Sequence, residues 1–244
     1  MLGLPSQVTA CLFDLDGVLT QTALVHNAAW KQTFDTFLKS WAEQHELPFV
    51  PFDSAVDYHR YVDGRQRADG VRTFLASRGI TLPEGDPDDT PDRETVNGIG
   101  NRKNLLVLQK IKEGAVQVYP GSVEYLRAAK AAGLRRAVVS ASANCKDVLE
   151  AAGIADLLEA RVDGVVARER GLPGKPAPDT FLYGAELLGL DPAQCAVFED
   201  AQAGVAAGRA GAFGIVIGVD RVDQADALRE HGADIVVKDL KDLL

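Results

Sequence analysis

The sequence predicts an α/β fold: a Rossmann-like parallel-sheet core with an all-helical cap domain inserted into it. Three observations predict it. Short apolar runs of strand length recur at 8–13, 137–139, 195–198, 215–217 and 235–237. From about Val118 onward these runs alternate with helical stretches, and strand–helix alternation implies a parallel sheet covered on both faces. About 95 residues of helical or loop character separate the first run from the next such unit, so they read as an insertion.

The elements follow in order. Residues 8–13 form a short buried strand that ends in Asp14-Leu15-Asp16-Gly17-Val18-Leu19-Thr20. Trp30, Phe34, Phe37, Leu38 and Trp41 recur at three- and four-residue steps, which gives an amphipathic helix over 23–45. The stretch 46–116 stays helical or loop-like. Within it, 84–93 is rich in Asp and Pro, as in a surface loop. A further helix runs from about Arg93 to Glu113 despite Gly98 and Gly100. Pro120-Gly121 opens a helix ending near Gly133, 137–139 is a strand, and 146–152 is a helix stopped by Gly153. The last three apolar runs are strands with helices between them. The core is therefore expected at 1–21 and 117–244, and the cap at 22–116.

Bulk properties narrow the function. The chain has 244 residues, 46% hydrophobic and 25% charged, as in an ordinary globular protein. A net charge of −9 argues against nucleic acid or an anionic membrane as partner, since both need a basic surface. A small phosphorylated ligand is compatible, because a few local cations and a metal can hold one. The three cysteines, Cys11, Cys145 and Cys195, form no CxxC and read as reduced thiols of a cytoplasmic protein. Residues 1–9 lack a basic region and a long apolar run, so no signal peptide is expected.

Four groups fall where strands end, the place where open parallel sheets bind ligands. Asp14 and Asp16 come first: one carboxylate can be aimed into a crevice while the next is held close by. That suits a nucleophile beside a general acid/base, with a metal between them and the substrate. Alone, such a pair fits a strand ending in a solvated Asp-Gly turn better than it fits a catalytic site. Ser140-Ala141-Ser142-Ala143-Asn144 can form an anion site or simply cap a helix. Lys175 lies in Gly174-Lys175-Pro176-Ala177-Pro178-Asp179, whose prolines stiffen the loop. Glu199-Asp200 suits oxygen ligation of Mg²⁺, though acidic residues before a helix also complement its dipole. Nucleophile, hydroxyl, lysine and acidic pair in this order, each closing a strand, are hard to obtain by accident.

That order resembles the haloacid dehalogenase superfamily of aspartate-nucleophile phosphotransferases, over essentially the whole chain. A narrower likeness is carried by Thr22-Ala23-Leu24-Val25-His26-Asn27-Ala28-Ala29-Trp30-Lys31, which resembles the corresponding segment of β-phosphoglucomutases. Arg102-Lys103-Asn104, Val118-Tyr119-Pro120-Gly121 and Glu199-Asp200-Ala201-Gln202-Ala203-Gly204 are similar to the same subfamily. The resemblance implies that Asp14 becomes an aspartyl phosphate while Asp16 moves the proton. It also implies that Mg²⁺ binds Asp14, the Asp16 carbonyl, Glu199 and Asp200, and that Lys175 and Ser140 hold the transferring group. In the cap, Arg67 would grip the non-transferring phosphate, Lys103 would line the sugar pocket, and His26 would couple cap closure to Asp16. Thr22 would sit near the hinge. Trp30, Gly64, Ala141, Ser142 and Asn144 complete the expected substrate contacts.

The chain departs from the subfamily in places: the subfamily often carries a lysine before the cap-loop glycine, where Asp63 stands here, and residues 46–61 and 84–93 have no counterpart in it. The implied reaction interconverts β-D-glucose 1-phosphate and glucose 6-phosphate through a 1,6-bisphosphate. The alternative is a Mg²⁺-dependent phosphatase of small sugar or polyol phosphates. A dehalogenase would make Asp16 superfluous, a phosphonate hydrolase typically has Ala there, and an inactive binding protein would have lost Asp14, Lys175 or Asp200. The expected partner is a phosphorylated sugar, with no nucleic acid or membrane, and the chain is expected to be a monomer.

Overall fold

The structure is a computed structural model that describes residues 2–244. Along the chain, β1 (Ala10–Phe13) precedes three helices, α1 (Thr22–Gln44), α2 (Arg67–Ser77) and α3 (Val96–Lys112). Then come α4 (Pro120–Ala131), β2 (Arg135–Val139), α5 (Cys145–Ala151), β3 (Ala160–Val162), α6 (Gly164–Arg170) and α7 (Asp179–Leu187). The chain closes with β4 (Cys195–Glu199), α8 (Gln202–Ala210), β5 (Ile215–Val219), α9 (Ala225–Glu230) and β6 (Ile235–Val237). It divides into two compact units, one of Met1–Thr22 with Val116–Leu244 and one of Ala23–Ala115.

In the first unit all six strands are parallel, in the order β3-β2-β1-β4-β5-β6. The chain steps outward from β1 to β3, then crosses to the other side of β1 for β4. The β1/β4 boundary is thus the switch point, where helices depart in opposite directions and leave a crevice. Register decides what meets there. Phe13 pairs with Val138 on one side and Phe198 on the other, so Asp14, Val139 and Glu199 emerge side by side. The Asp14 N–H still donates to Phe198 O at 2.9 Å.

β1 is fully buried, and its alternating side chains serve two faces. Leu12 packs with Val139 and Val197, with Phe181 from α7 and with Val205 from α8. On the opposite face Phe13 stacks on Phe198 at 4.6 Å and meets the edge of Tyr125 from α4 at 6.3 Å. Each such side chain contributes about 1.5–3 kcal/mol through burial. The sequence expectation held five strands and missed β3. That strand is short, carries the exposed Arg161 and lies at the sheet edge, so it lacks the apolar run of a central strand.

All three thiols are free and buried. Burial pushes Cys11 up to about 12 and Cys195 up to about 11, and raises Cys145 as well. Folding therefore favours the protonated form. This contribution to stability is complete below pH 9.0 and is lost as pH rises through about 11 to about 12. At pH 8 a disulfide reagent is expected to modify none of the thiols within minutes in native protein and all of them in denaturant. Fast stoichiometric reaction of the native protein would contradict this burial.

The second unit is built on aromatic side chains. From α1, Trp30 and Phe34 stack at 4.9 Å, and Phe34 meets Phe74 of α2 at 4.2 Å and Phe52 at 5.4 Å. The segment before α2 is tied down rather than loose. Lys31 donates to Phe52 O at 2.9 Å, Asp35 accepts from the Phe52 N–H at 2.7 Å, and Arg78 pairs with Asp57 at 2.6 Å. The acidic loop at 84–93 is held from α3, where Asn101 donates to Asp89 O and Arg102 to Pro91 O. The two glycines of α3 have reasons. A Cβ at Gly98 would collide with Arg93 O, and one at Gly100 would press on the stem of Arg67.

Candidate active site

Strand register brings Asp14 and Glu199 together, and Lys175 ties them. Its Nζ donates to Asp14 Oδ1 at 2.6 Å, Glu199 Oε1 at 2.5 Å and Val139 O at 2.9 Å. It also lies 4.7 Å from the ring centroid of Phe181. One ammonium is thus fixed by the ends of β1, β2 and β4. Burial works against its charge, yet Asp14 and Glu199 beside it prevail and hold it above the ordinary lysine value. Burial pushes the Asp14 carboxyl well above the usual carboxylate range. Lys175 opposes that rise, while Glu199 and Asp16 add to it.

Asp200 joins this group: Asp14, Glu199 and Asp200 each offer an oxygen, all within 4.8 Å of one another. All three are buried, and the Lys175 ammonium pairs with two of them, Asp14 and Glu199. An oxygen-only donor set with surplus negative charge fits a hard cation. Two glycines make the approach possible. Gly17, at φ +100°, and Gly204 have no room for a Cβ, which would overlap the carboxylates of Asp200 and Glu199 respectively. The Glu199 Oε2 accepts from the Ala201 N–H at 3.0 Å, which fixes its plane.

Asp16 lies apart from that cluster and is partly buried. Two hydroxyls hold it: Thr22 donates to Oδ1, and Ser140 donates to Oδ2 at 3.3 Å. Thr22, expected near a hinge, is buried within the first unit and bonded to this carboxylate. The serine turn is internally ordered. Ser140 Oγ accepts from Ser142 N–H at 3.1 Å, and Ser142 Oγ from Asn144 N–H at 3.2 Å. Gly164 backs this turn, where a Cβ would crowd Ala141 O and Ala143 N.

The remaining expected residues belong to the second unit. Lys103 Nζ donates to His26 Nδ1 at 2.7 Å and lies 4.8 Å from the Trp30 ring centroid. Arg67 is the first residue of α2 and rests on Gly100. Gly64, at φ +69°, reverses the chain shortly before it. The departing residue Asp63 is buried and bonded to His59 Nδ1 at 2.9 Å. The sequence reading passed over the end of β5, where Asp220 and Arg221 follow Val219. Applied to every strand, the same strand-end rule finds them.

The haloacid dehalogenase-like hydrolase family model matches residues 8–211. A protein named beta-phosphoglucomutase from Mycobacterium bovis (strain ATCC BAA-935 / AF2122/97) is 56% identical over 247 residues, covering 100% of this chain and 94% of its own. A Bacillus subtilis (strain 168) protein of the same name is 31% identical over 235 residues, covering 96% and 91%. The crystal structure of a beta-phosphoglucomutase from Clostridium difficile superposes with a TM-score of 0.76 at 25% identity, covering 97% of this chain and 93% of that one. Among the described residues no helix is long and apolar enough to cross a membrane. Because the family model matches residues 8–211 and full-length relatives named beta-phosphoglucomutase reach 56% identity, the chain belongs to the haloacid dehalogenase-like hydrolase family, in its β-phosphoglucomutase-like branch.

Proposed function

We propose that this chain is a Mg²⁺-dependent phosphosugar mutase that interconverts β-D-glucose 1-phosphate and glucose 6-phosphate. The observation that carries the reading is the division of labour between two aspartates. Asp14 is buried on Lys175 at 2.6 Å, whereas Asp16 is partly buried and held by two hydroxyls. The full-length likeness to proteins named beta-phosphoglucomutase supports the choice of substrate.

Asp14, Glu199 and Asp200 would hold the Mg²⁺, and the Asp16 carbonyl would join them. When bound, it screens the repulsion between a carboxylate and a phosphate dianion. An Asp14 oxygen attacks phosphorus, the bond to the sugar oxygen breaks, and Asp16 gives that oxygen a proton. In the return step the sugar hydroxyl passes its proton to Asp16 and takes the phosphoryl group from Asp14. A phosphorylated enzyme thus converts β-glucose 1-phosphate into the 1,6-bisphosphate. The bisphosphate turns around, re-phosphorylates Asp14 and leaves as glucose 6-phosphate. Lys175 and Ser140 hold the charge of the transferring group.

Arg67 binds the phosphate that is not being transferred, and His26 and Lys103 contact the sugar. Arg67→Lys keeps the charge but loses the two-pronged grip. It is expected to raise KM for β-glucose 1-phosphate by about 10–100-fold, the loss of one charge-assisted bond, with a smaller change in kcat. An unchanged KM in steady-state assays would remove Arg67 from the phosphate site.

A second reading, hydrolysis of sugar or polyol phosphates, draws on Asp63, which places a carboxylate where the branch often has lysine. Phosphorus NMR with Mg²⁺, β-glucose 1-phosphate and a trace of 1,6-bisphosphate separates the two. Glucose 6-phosphate with little free phosphate supports the mutase; steady release of inorganic phosphate supports the hydrolase.

A further inference from the structure

The loop that follows β5 reaches both turns that carry the catalytic carboxylates. Arg221 is largely buried, its side chain 12% exposed. Its Nε donates to Gly17 O at 2.9 Å, and its Nη2 donates to Val18 O at 3.4 Å and Ser122 Oγ at 3.2 Å. Its Nη1 donates to Lys238 O at 2.8 Å and to Asp239 Oδ2 at 3.4 Å. The guanidinium carbon lies 3.6 Å from the centroid of the Tyr119 ring, so the fork is also stacked. Gln224 works on the other turn: its Nε2 donates to Asp200 O at 2.9 Å. The loop itself is rigid, because Asp220 Oδ1 accepts from the N–H groups of Gln224 at 2.8 Å and Val222 at 3.3 Å.

The two turns so gripped face one another at Gly17 and Asp200, where there is no room for a single Cβ. Gly17 adjoins Asp16, and Asp200 is one of the three clustered carboxylates. A shift of either turn therefore changes the spacing of the oxygen donors and the aim of Asp16 together. Neither Arg221 nor Gln224 touches the reacting atoms. We propose that Arg221 and Gln224 are positioning residues, which set the separation of the Asp14–Gly17 and Glu199–Asp200 turns and thereby the cation affinity and the turnover. This rests on the reading that the carboxylate cluster holds a divalent cation.

Arg221→Gln, Arg221→Lys and Gln224→Ala test it, each checked for native fold by circular dichroism. Mg²⁺ binding is measured by calorimetry without substrate, and kcat and KM are measured at saturating Mg²⁺. Partners that orient metal ligands from behind typically govern about 10–100-fold in metal affinity or activity. Arg221→Gln is expected to weaken Mg²⁺ binding by that factor and to lower kcat, with KM for the sugar phosphate changed by less than about threefold. Arg221→Lys keeps the charge without the fork and falls between it and the parent protein. Gln224→Ala, a milder change that tests the proposal even if Arg221→Gln fails to fold, is expected to weaken Mg²⁺ binding without moving KM. Folded variants with the parent's Mg²⁺ affinity and kcat, and only a lower melting temperature, would overturn the proposal alone. A parent protein that binds no Mg²⁺ would overturn the cation reading, and the proposal with it. Because calorimetry needs no sugar, a wrong sugar leaves this test intact.

Discussion

Asp14→Asn is expected to abolish phosphoryl transfer, lowering kcat by more than about 10⁴-fold, as losing a nucleophile does. An amide oxygen is too poor a nucleophile to displace a sugar oxygen from phosphorus. The variant is still expected to fold. Burial already disfavours the Asp14 charge, and Glu199 repels it, so the amide relieves both while giving up the ion pair with Lys175. Rapid-quench assays with the 1,6-bisphosphate and thermal melts on the same sample measure both effects. Residual turnover above about one per cent of the parent value would move the nucleophile elsewhere.

Lys175→Met is expected to damage folding and catalysis together. The ammonium serves two buried carboxylates and a strand carbonyl at once. Removing it leaves Asp14 and Glu199 facing each other without a counter-charge, and breaking a buried pair in this way costs about 3–5 kcal/mol. The loss appears as a lower denaturation midpoint. Added Mg²⁺ is expected to recover part of it, since a ligand that binds only the native state stabilises it. Turnover falls by about 10²–10³-fold, the usual effect of deleting one group that stabilises transition-state charge. Lys175→Arg does not restore activity, because a planar fork cannot take the place of a point donor with three oxygens within 2.9 Å. A variant as stable as the parent would show that the two carboxylates are not ionised together.

Legibility in the sequence followed solvent exclusion. β1, β4 and β5 are buried on both faces, so they appear as unbroken apolar runs, and the polar residues that end them stand out. Asp14, Glu199 and Asp200 were visible for that reason, and Ser140 because β2 ends the same way. β3 was not, since an edge strand with Arg161 at its centre has no such run. Helix α6 was missed as well. It is seven residues long and is defined by its caps, Asp163 at one end and Gly171 at φ +64° at the other, rather than by periodicity.

Roles were harder to read than positions. Thr22 was placed at a hinge by resemblance, and its bond to Asp16 depends on the turn between them, where Gly17 N–H donates to Thr20 O at 2.7 Å. Arg221 is joined to Gly17 across 204 positions of sequence, a distance no local pattern spans. The aromatic stripe of α1 reads in the sequence as one face of an amphipathic helix, and in the structure Trp30, Phe34, Phe37 and Leu38 of that face pack as core. Trp30 belongs to that core and also lies beneath Lys103, a double use that periodicity does not disclose.

The most direct measurement is to find where the phosphoryl group goes. The protein, with Mg²⁺, is mixed with the 1,6-bisphosphate, quenched in acid within milliseconds, treated with hydroxylamine and mapped by mass spectrometry. A hydroxamate at Asp14, absent from Asp14→Asn, is the expected result, since hydroxylamine intercepts an acyl phosphate at the carboxyl that bore it. An unmodified Asp14 peptide, or a hydroxamate on Asp16 or a stable phosphate on Ser140 while sugar phosphate is being turned over, would contradict an aspartyl-phosphate enzyme built on this strand end.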